Sequence, residues 1–152
     1  MSRKPTRVRN LDSLERKLAA LGKLAQGDVL EKALHAGAQE IRNSAQDKAP
    51  FLTGTLRRSI HSETGEKSGA KVSVLVGTDL EYAAMQEFGG TIVPKNAKRL
   101  VFEVDGKKVF ARKVTIPAHP YLRPAFDEQK GEAVKQFRLA VGDQVRMIAR
   151  SG

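Results

Sequence analysis

Apolar residues recur at helical spacing in two stretches near the start of the chain. In the first, Leu14, Leu18 and Leu21 fall three or four residues apart behind a capping-box pattern. A second capping pattern begins at residue 28 and precedes a longer stripe rich in small residues: Leu30, Leu34, Ala38, Ile41 and Ala45. The pattern therefore predicts two helices, and the small residues predict close packing of the second against a neighbouring element.

The period of the pattern changes after Pro50, which ends the second helix because the residue before a proline avoids the helical region. Leu56 and Ile60 alternate with polar positions, which predicts a short strand. A polar turn is predicted over residues 64–69 and a further strand over residues 71–77. Asp79 is expected to cap a short helix over residues 82–88, which two glycines then end.

The second half of the chain predicts a hairpin and a long final helix. Strands predicted over residues 100–104 and 108–116 flank Asp105-Gly106, a dipeptide typical of two-residue hairpin turns. We assign Leu100, Phe102, Val104, Val109 and Phe110 to a buried apolar face of this hairpin, and its Lys and Arg residues to the opposite face.

An extended segment leads from the hairpin to Pro124, which we place at the first position of a helix running to about residue 150. The order of elements predicts a single α+β domain over residues 11–152, with N-terminal helices, a small antiparallel sheet carrying the long hairpin, and a C-terminal helix. Residues 1–10 form a basic N-terminal arm ahead of this domain, and the hairpin lies in an insertion at about residues 91–119.

Net charge adds a second feature to this picture. The chain carries 27 Lys and Arg against 17 Asp and Glu, a formal charge of +10. The excess concentrates in the arm and in residues 95–113, which suits an acidic partner or a nucleic acid. The candidate interface residues are Arg3, Arg7, Arg9, Lys98, Arg99, Lys107, Lys108 and Arg112.

Catalytic chemistry finds little support in the sequence. There is no cysteine, so thiolate sites and disulfides are excluded. The three histidines have no ligand spacing, and we interpret His35 as a structural histidine with its hydrogen bonds satisfied. No glycine-rich stretch has the spacing of a phosphate-binding loop. We therefore expect no enzyme activity, no catalytic residue, no cofactor and no metal.

A series of short motifs gives the chain a resemblance to a known family. After Ala49 comes a Pro-x-x-Thr-Gly turn that opens into Leu-Arg-x-Ser-Ile, followed later by Glu-Phe-Gly and by Pro-Tyr-Leu-Arg-Pro ahead of the last helix. These motif residues are Pro50, Thr53, Gly54, Leu56, Arg57, Ser59, Ile60, Tyr82, Glu87, Phe88, Gly89, Pro120, Tyr121, Leu122, Arg123 and Pro124. In this order they resemble the tail-completion, or minor tail and head–tail joining, family of long-tailed bacteriophages over residues 28–150. The inserted hairpin is also similar to the virion-morphogenesis protein of Mu-like phages.

The resemblance implies a structural virion protein, assembled in the bacterial cytoplasm, that forms a ring, sixfold in the family, at the head–tail junction or the top of the tail. Its partners would be copies of itself, the head connector, and the tail tube or tail terminator. DNA would pass through the lumen without specific binding, and no membrane is involved. Two alternatives remain open: a basic DNA-binding protein that uses the arm and the 95–113 hairpin, and a small hydrolase, which lacks a catalytic constellation.

Overall fold

The computed structural model describes residues 11–24, 27–51, 54–69 and 71–150, and it confirms the α+β class. The helices are α1 (Leu11–Leu24), α2 (Asp28–Lys48), α3 (Thr55–Ser59), α4 (Ala83–Phe88) and α5 (Leu122–Arg150). The strands are β1 (His61–Ser68), β2 (Lys71–Gly77), β3 (Gly90–Ile92), β4 (Leu100–Val104), β5 (Lys107–Ala111) and β6 (Val114–Ile116). They pair as three two-stranded sheets, β1 with β2, β3 with β6, and β4 with β5.

The chain divides into two compact units. The first takes the described residues up to 40 together with residues 62–75 and those from 131 onward, and the second takes residues 41–61 and 76–130. In the first unit, a Cβ on Gly37 of α2 would lie 2.5 Å from the carbonyl oxygen of Ala133. This close approach agrees with the close packing that the small residues of α2 predict.

The second unit holds the hydrophobic core and both ends of the motif series. Its buried residues are small in the main, and Tyr121 is the largest of them: Ala45, Ala49, Leu56, Ile60, Ala83, Tyr121 and Ala125. Val76, Leu80 and Leu122 pack against this cluster. The core thus joins the end of α2 to α3, α4 and the start of α5.

The segment predicted as a strand over residues 56–60 is instead the short helix α3, so that prediction was wrong. The amide of Arg58 donates to the carbonyl of Gly54 at 3.0 Å, and the Ser59 hydroxyl donates to the carbonyl of Leu56 at 2.7 Å. Leu56 and Ile60 are both buried. A spacing of four residues puts two side chains on one face of a helix as well as on one face of a strand. The alternation therefore did not distinguish the two structures.

The turn predicted at residues 64–69 was also wrong, because β1 continues through Thr64 and Gly65 to Ser68. The β1–β2 connection is confined to residues 69–70, of which Gly69 is described. A second strand boundary differs as well. The predicted strand over residues 108–116 is split into β5 and β6, and β6 pairs with β3, which was not predicted.

Candidate assembly surface

The Ala-Pro and Thr-Gly motif forms a tight connection between α2 and α3. Pro50 is half-buried after the end of α2, and Gly54 is buried with φ of 71° and ψ of −1°, the left-handed conformation that favours glycine. Ser59 shares a hydrogen bond with the Thr78 hydroxyl at 2.6 Å, and exposed Arg57 pairs with Asp47 at 2.5 Å. Thr53 lies outside the described residues. The motif thus serves the packing of this unit.

Glu87 joins two distant motifs, a role that sequence reasoning missed. Its carboxylate is 6% exposed and accepts three backbone N–H groups at the start of α5, from Tyr121 at 2.7 Å, Leu122 at 2.9 Å and Arg123 at 3.0 Å. Those N–H groups have no intrahelical partner, and the helix dipole favours a negative charge beside them. Burial acts to raise the pKa of Glu87, but these three hydrogen bonds and the charge of Arg123 outweigh it and lower the pKa. The Glu-Phe-Gly motif therefore caps the helix that begins within Pro-Tyr-Leu-Arg-Pro.

Tyr121 anchors the start of α5 in the hydrophobic core. It is completely buried, and its hydroxyl has no hydrogen-bond partner among the described residues. Burial, with the nearby charges of Glu87 and Tyr82, raises the pKa of Tyr121 to about 12. Leu122 and Pro124 are half-buried, whereas Pro120 and Arg123 are exposed. Pro124 is the third residue of α5, not the first as predicted, and a missing N–H is equally harmless there.

The short helix α4 buries one face and exposes another to solvent. Tyr82, not Asp79, is the N-cap residue, and no side chain caps this end, so the predicted Asp79 cap is wrong. Gly89 ends the helix with φ of 69°, as expected from the glycine pair. Ala83 and Glu87 are buried, while Glu81, Tyr82, Ala84 and Phe88 are exposed.

The hairpin ribbon, defined here as β4, β5 and the turn between them, has two exposed faces. The turn has φ of 51° at Asp105 and 74° at Gly106, as the two-residue turn prediction requires. The pairing sets Val101 opposite Phe110 and Phe102 opposite Val109. Residues directly opposite share a face, and successive residues of a strand alternate between faces. Phe110 therefore shares a face with Val101, and Phe102 lies on the other face. The prediction that both aromatic residues lie on one apolar face was wrong.

Charged and apolar side chains are mixed on both faces of the hairpin ribbon. Lys107 shares a face with Val104, and Lys108 lies opposite Glu103 on the face of Val101 and Phe110. Every residue from 101 to 110 is exposed, which corrects the expectation that one face is buried. The candidate interface residues Lys98, Arg99, Lys107, Lys108 and Arg112 are all exposed, whereas Arg3, Arg7 and Arg9 lie outside the described residues.

Aromatic side chains are concentrated on the surface of the molecule. The chain has six Phe and two Tyr, and six of these eight are exposed: Phe51, Tyr82, Phe88, Phe102, Phe110 and Phe126. Phe88 is 77% exposed and Phe51 is 74% exposed. Phe126, on α5, is 54% exposed. Aromatic residues are enriched where proteins bind each other, so this distribution is typical of an assembly surface.

His35 is a satisfied structural histidine, as predicted. Its two ring nitrogens lie 3.2 Å from the Ser62 hydroxyl and 3.1 Å from the Thr64 hydroxyl. Thr64 in turn donates to Glu31 at 2.6 Å, and Lys67 lies 2.7 Å from the same carboxylate. This polar network fastens α2 to β1 within the first unit. No group of His, Asp and Glu suited to a metal ion occurs among the described residues.

The chain thus has an α+β fold whose surface exposes aromatic, aliphatic and basic side chains. The family described as Bacteriophage HK97-gp10, putative tail-component, matches residues 12–89, just over half of the chain. The chain belongs to this family, and it is a structural component of a bacteriophage tail and hence of the virion. The match ends at Gly89, so the hairpin ribbon and α5 lie beyond it. Comparison with curated proteins finds no significant match, and neither does comparison with solved structures.

None of the helices in the described part of the chain is long and apolar enough to cross a membrane.

Proposed function

We propose that this tail component forms a ring at the head–tail junction or the top of the tail, where it joins the connector to the tail tube. The observation that supports this proposal best is the exposure of both faces of the hairpin ribbon. Val101 and Phe110 are each 58% exposed, and Val104 is 47% exposed. A two-stranded ribbon is marginally stable alone in water and needs a surface to lie on.

The partners that fit this ribbon are copies of the chain, the connector, and the tail tube or terminator. Mixed apolar and charged side chains suit a protein surface, where a hydrophobic centre is surrounded by polar groups. Glu103 and Asp105 lie on the same ribbon as the lysines, and acidic groups are unfavourable against a phosphate backbone. This supports a protein partner over DNA, and the basic N-terminal arm is proposed to contact a neighbouring subunit or ring in the same way.

Charge reversal on the hairpin ribbon tests the proposal. Lys107, Lys108 and Arg112 are exposed, so replacing all three with Glu leaves the subunit folded. We expect heads and tails to form but not to join, which electron microscopy of the particles and the yield of infectious virions both measure. Reversal of three exposed charges on α5, at Lys130, Arg138 and Arg150, is the matched control and should leave joining intact.

DNA binding by the same variant shows whether the hairpin ribbon binds a protein or DNA. If the ribbon meets protein, duplex binding by the purified subunit is weak before and after charge reversal. Normal joining together with loss of strong duplex binding would contradict the proposal and favour a DNA-binding arm. We also expect the purified subunit to form rings at high concentration, which negative-stain electron microscopy would show.

A further inference from the structure

Opposite charges occupy neighbouring stretches of the chain. Residues 72–94 contain no Lys or Arg, which is the longest such stretch in a chain of charge +10. Residues 95–113, which follow at once and contain the hairpin ribbon, contain seven Lys and Arg. The first stretch carries three acidic residues, Asp79, Glu81 and Glu87, so the sequence places an acidic stretch directly before a basic one, and their charges are complementary.

The acidic stretch presents its side chains around α4. Ala84 and Phe88 are four residues apart on α4 and both exposed, which is the spacing of one helix face, and exposed Glu81 lies two residues before the helix. Asp79, whose side chain is 93% exposed, and Tyr82, 44% exposed, lie beside them. We name Asp79, Glu81, Tyr82, Ala84 and Phe88 the acidic patch.

Glu87 does not contribute to the acidic patch, because its carboxylate is buried against the start of α5. The charge of the patch therefore comes from Asp79 and Glu81. Phe88 supplies the apolar area, since it is 77% exposed. A patch of this composition, with an aromatic centre and carboxylates beside it, fits a partner that brings apolar side chains flanked by lysines.

The hairpin ribbon has this composition. Val101 and Phe110 lie opposite each other and are each 58% exposed, more than the other apolar side chains of β4 and β5 that are exposed, and Lys108 lies on the same face. Lys107 stands next to the turn. Because the ribbon residues 101–110 and all the patch residues are exposed, the ribbon of one copy does not cover the patch of the same copy.

We propose that the hairpin ribbon of one subunit docks on the acidic patch of the next copy of the chain. The two surfaces are different, so the contact is heterologous, and repetition of a heterologous contact closes into a ring when the rotation between copies allows it. This inference rests on the proposed function and assigns the contact that would build the ring. It leaves the connector and tail tube to be met by other surfaces.

Crosslinking in assembled particles tests the contact, since the absence of cysteine gives a clean background. Ala84→Cys places a thiol on the acidic patch, and Glu103→Cys places one on the ribbon face of Val101 and Phe110. Tails carrying both changes in each subunit are treated with a short bis-maleimide reagent and run on denaturing gels. We expect a ladder of covalent oligomers from the double variant and only monomers from either single variant.

Three other gel patterns would overturn the proposal. A dimer from Glu103→Cys alone would show that two ribbons meet each other. A monomer crosslinked within itself would show that the ribbon lies on its own α4. Absence of any crosslink from the double variant, in tails that contain the subunit, would show that the ribbon docks elsewhere. Glu103→Cys with Arg138→Cys on α5 is the matched control pair and is expected to stay monomeric.

Charge exchange separates failure of this contact from failure of the proposed function. Lys107→Glu with Lys108→Glu should block joining of heads to tails, and so should Asp79→Lys with Glu81→Lys, while the four changes together should restore at least a tenth of normal infectious yield. Asp127→Lys with Asp143→Lys on α5 is the charge-matched control. If the ribbon changes block joining and the patch changes do not, the ribbon has another partner and the proposed function stands. If neither pair affects joining, both proposals fail.

Discussion

At the scale of single residues, Glu87 holds together parts of the chain that lie more than thirty positions apart. One buried carboxylate accepts the backbone N–H groups of three successive residues at the start of α5. Hydrogen bonds to a charged acceptor are the stronger kind, and a buried donor left without a partner is costly. We therefore expect stability and the placement of α5 to depend on this side chain.

We expect Glu87→Gln to lower the free energy of unfolding by about 2 kcal/mol at pH 7, because the amide turns a donor toward backbone donors. The pKa of Glu87 in the folded protein lies below its ordinary value of 4.5, so its stabilisation is full above that pH and is lost as pH falls through the folded-state pKa. The variant should therefore lose less stability than the native protein between pH 7 and pH 3.5. Urea unfolding at both pH values measures this, and equal losses would contradict it.

Substitution of Tyr121 is expected to raise the free energy of unfolding, whereas substitution of Glu87 lowers it. Its buried hydroxyl has no hydrogen-bond partner among the described residues, and a buried polar group without a partner is unfavourable. Tyr121→Phe keeps the ring and removes the hydroxyl, so we expect the free energy of unfolding to rise by about 1 kcal/mol. Thermal unfolding checks the sign, and a clear loss of stability would show that the hydroxyl makes a hydrogen bond in the folded protein.

Gly54 is a position where a side chain is disfavoured by the backbone. Its φ is 71°, and a Cβ there would approach Arg58 Nη1 to 2.9 Å. We expect Gly54→Val to cost about 1–3 kcal/mol in the free energy of unfolding. Gly131→Ala on α5, where no atom lies within 4 Å of a new Cβ, should instead stabilise by about 0.5–1 kcal/mol. An unchanged melting temperature for Gly54→Val would contradict the turn assignment.

At the scale of elements, the hairpin ribbon does not contribute to the hydrophobic core. The buried cluster comes from α2, α3, α4 and α5 and contains no ribbon residue. The strands on either side, β3 and β6, pair with each other, so Ile92 and Val114 are already neighbours. The ribbon thus extends from a loop whose two ends are held together by the pairing of β3 with β6.

We expect replacement of residues 96–111 by a Gly-Ser-Gly linker to leave the melting temperature within about 2 °C of the native value, because it removes mainly exposed side chains. The same variant should fail to join heads to tails. Differential scanning calorimetry and particle assembly together measure the two properties. A large fall in melting temperature would show instead that the ribbon stabilises its own subunit.

At the scale of the whole molecule, charge and exposed apolar area act together. A chain of charge +10 repels its copies, so association needs local complementarity and apolar contact. The acidic stretch 72–94 and the basic stretch 95–113 supply the charge complementarity. The exposed aromatic side chains supply the apolar contact.

We expect association between subunits to weaken by about fivefold between 0.1 M and 0.5 M NaCl, since exposed ion pairs contribute about 0.2–1 kcal/mol each and salt screens them. Analytical ultracentrifugation measures this change. A contact with about three phosphate groups would weaken duplex binding more steeply, by a salt exponent of about −2.7. Association that strengthens with salt would show that apolar contact outweighs the proposed charge pairing.

The sequence by itself determined the features whose cause is local. Asp105-Gly106 predicted the hairpin turn because few residues adopt positive φ, and helical spacing predicted α1, α2 and α5 because their periods persist over many residues. The motif series indicated a tail-component family for the same reason, since each motif is a short run of residues. The boundary between β5 and β6 had no such local signal, and the sequence pattern predicted one continuous strand there.

Tertiary structure decided the features whose cause is distant. Leu56 and Ile60 fit a helix and a strand equally well by their spacing, and the core that buries both is built with residues of α2, α4 and α5. The faces of the hairpin ribbon depend on strand register, which sets Phe102 and Phe110 apart. The sequence singled out Glu87 as a motif residue but did not show its role, because the backbone donors that it accepts follow 34 to 36 residues later and meet it only when the chain folds.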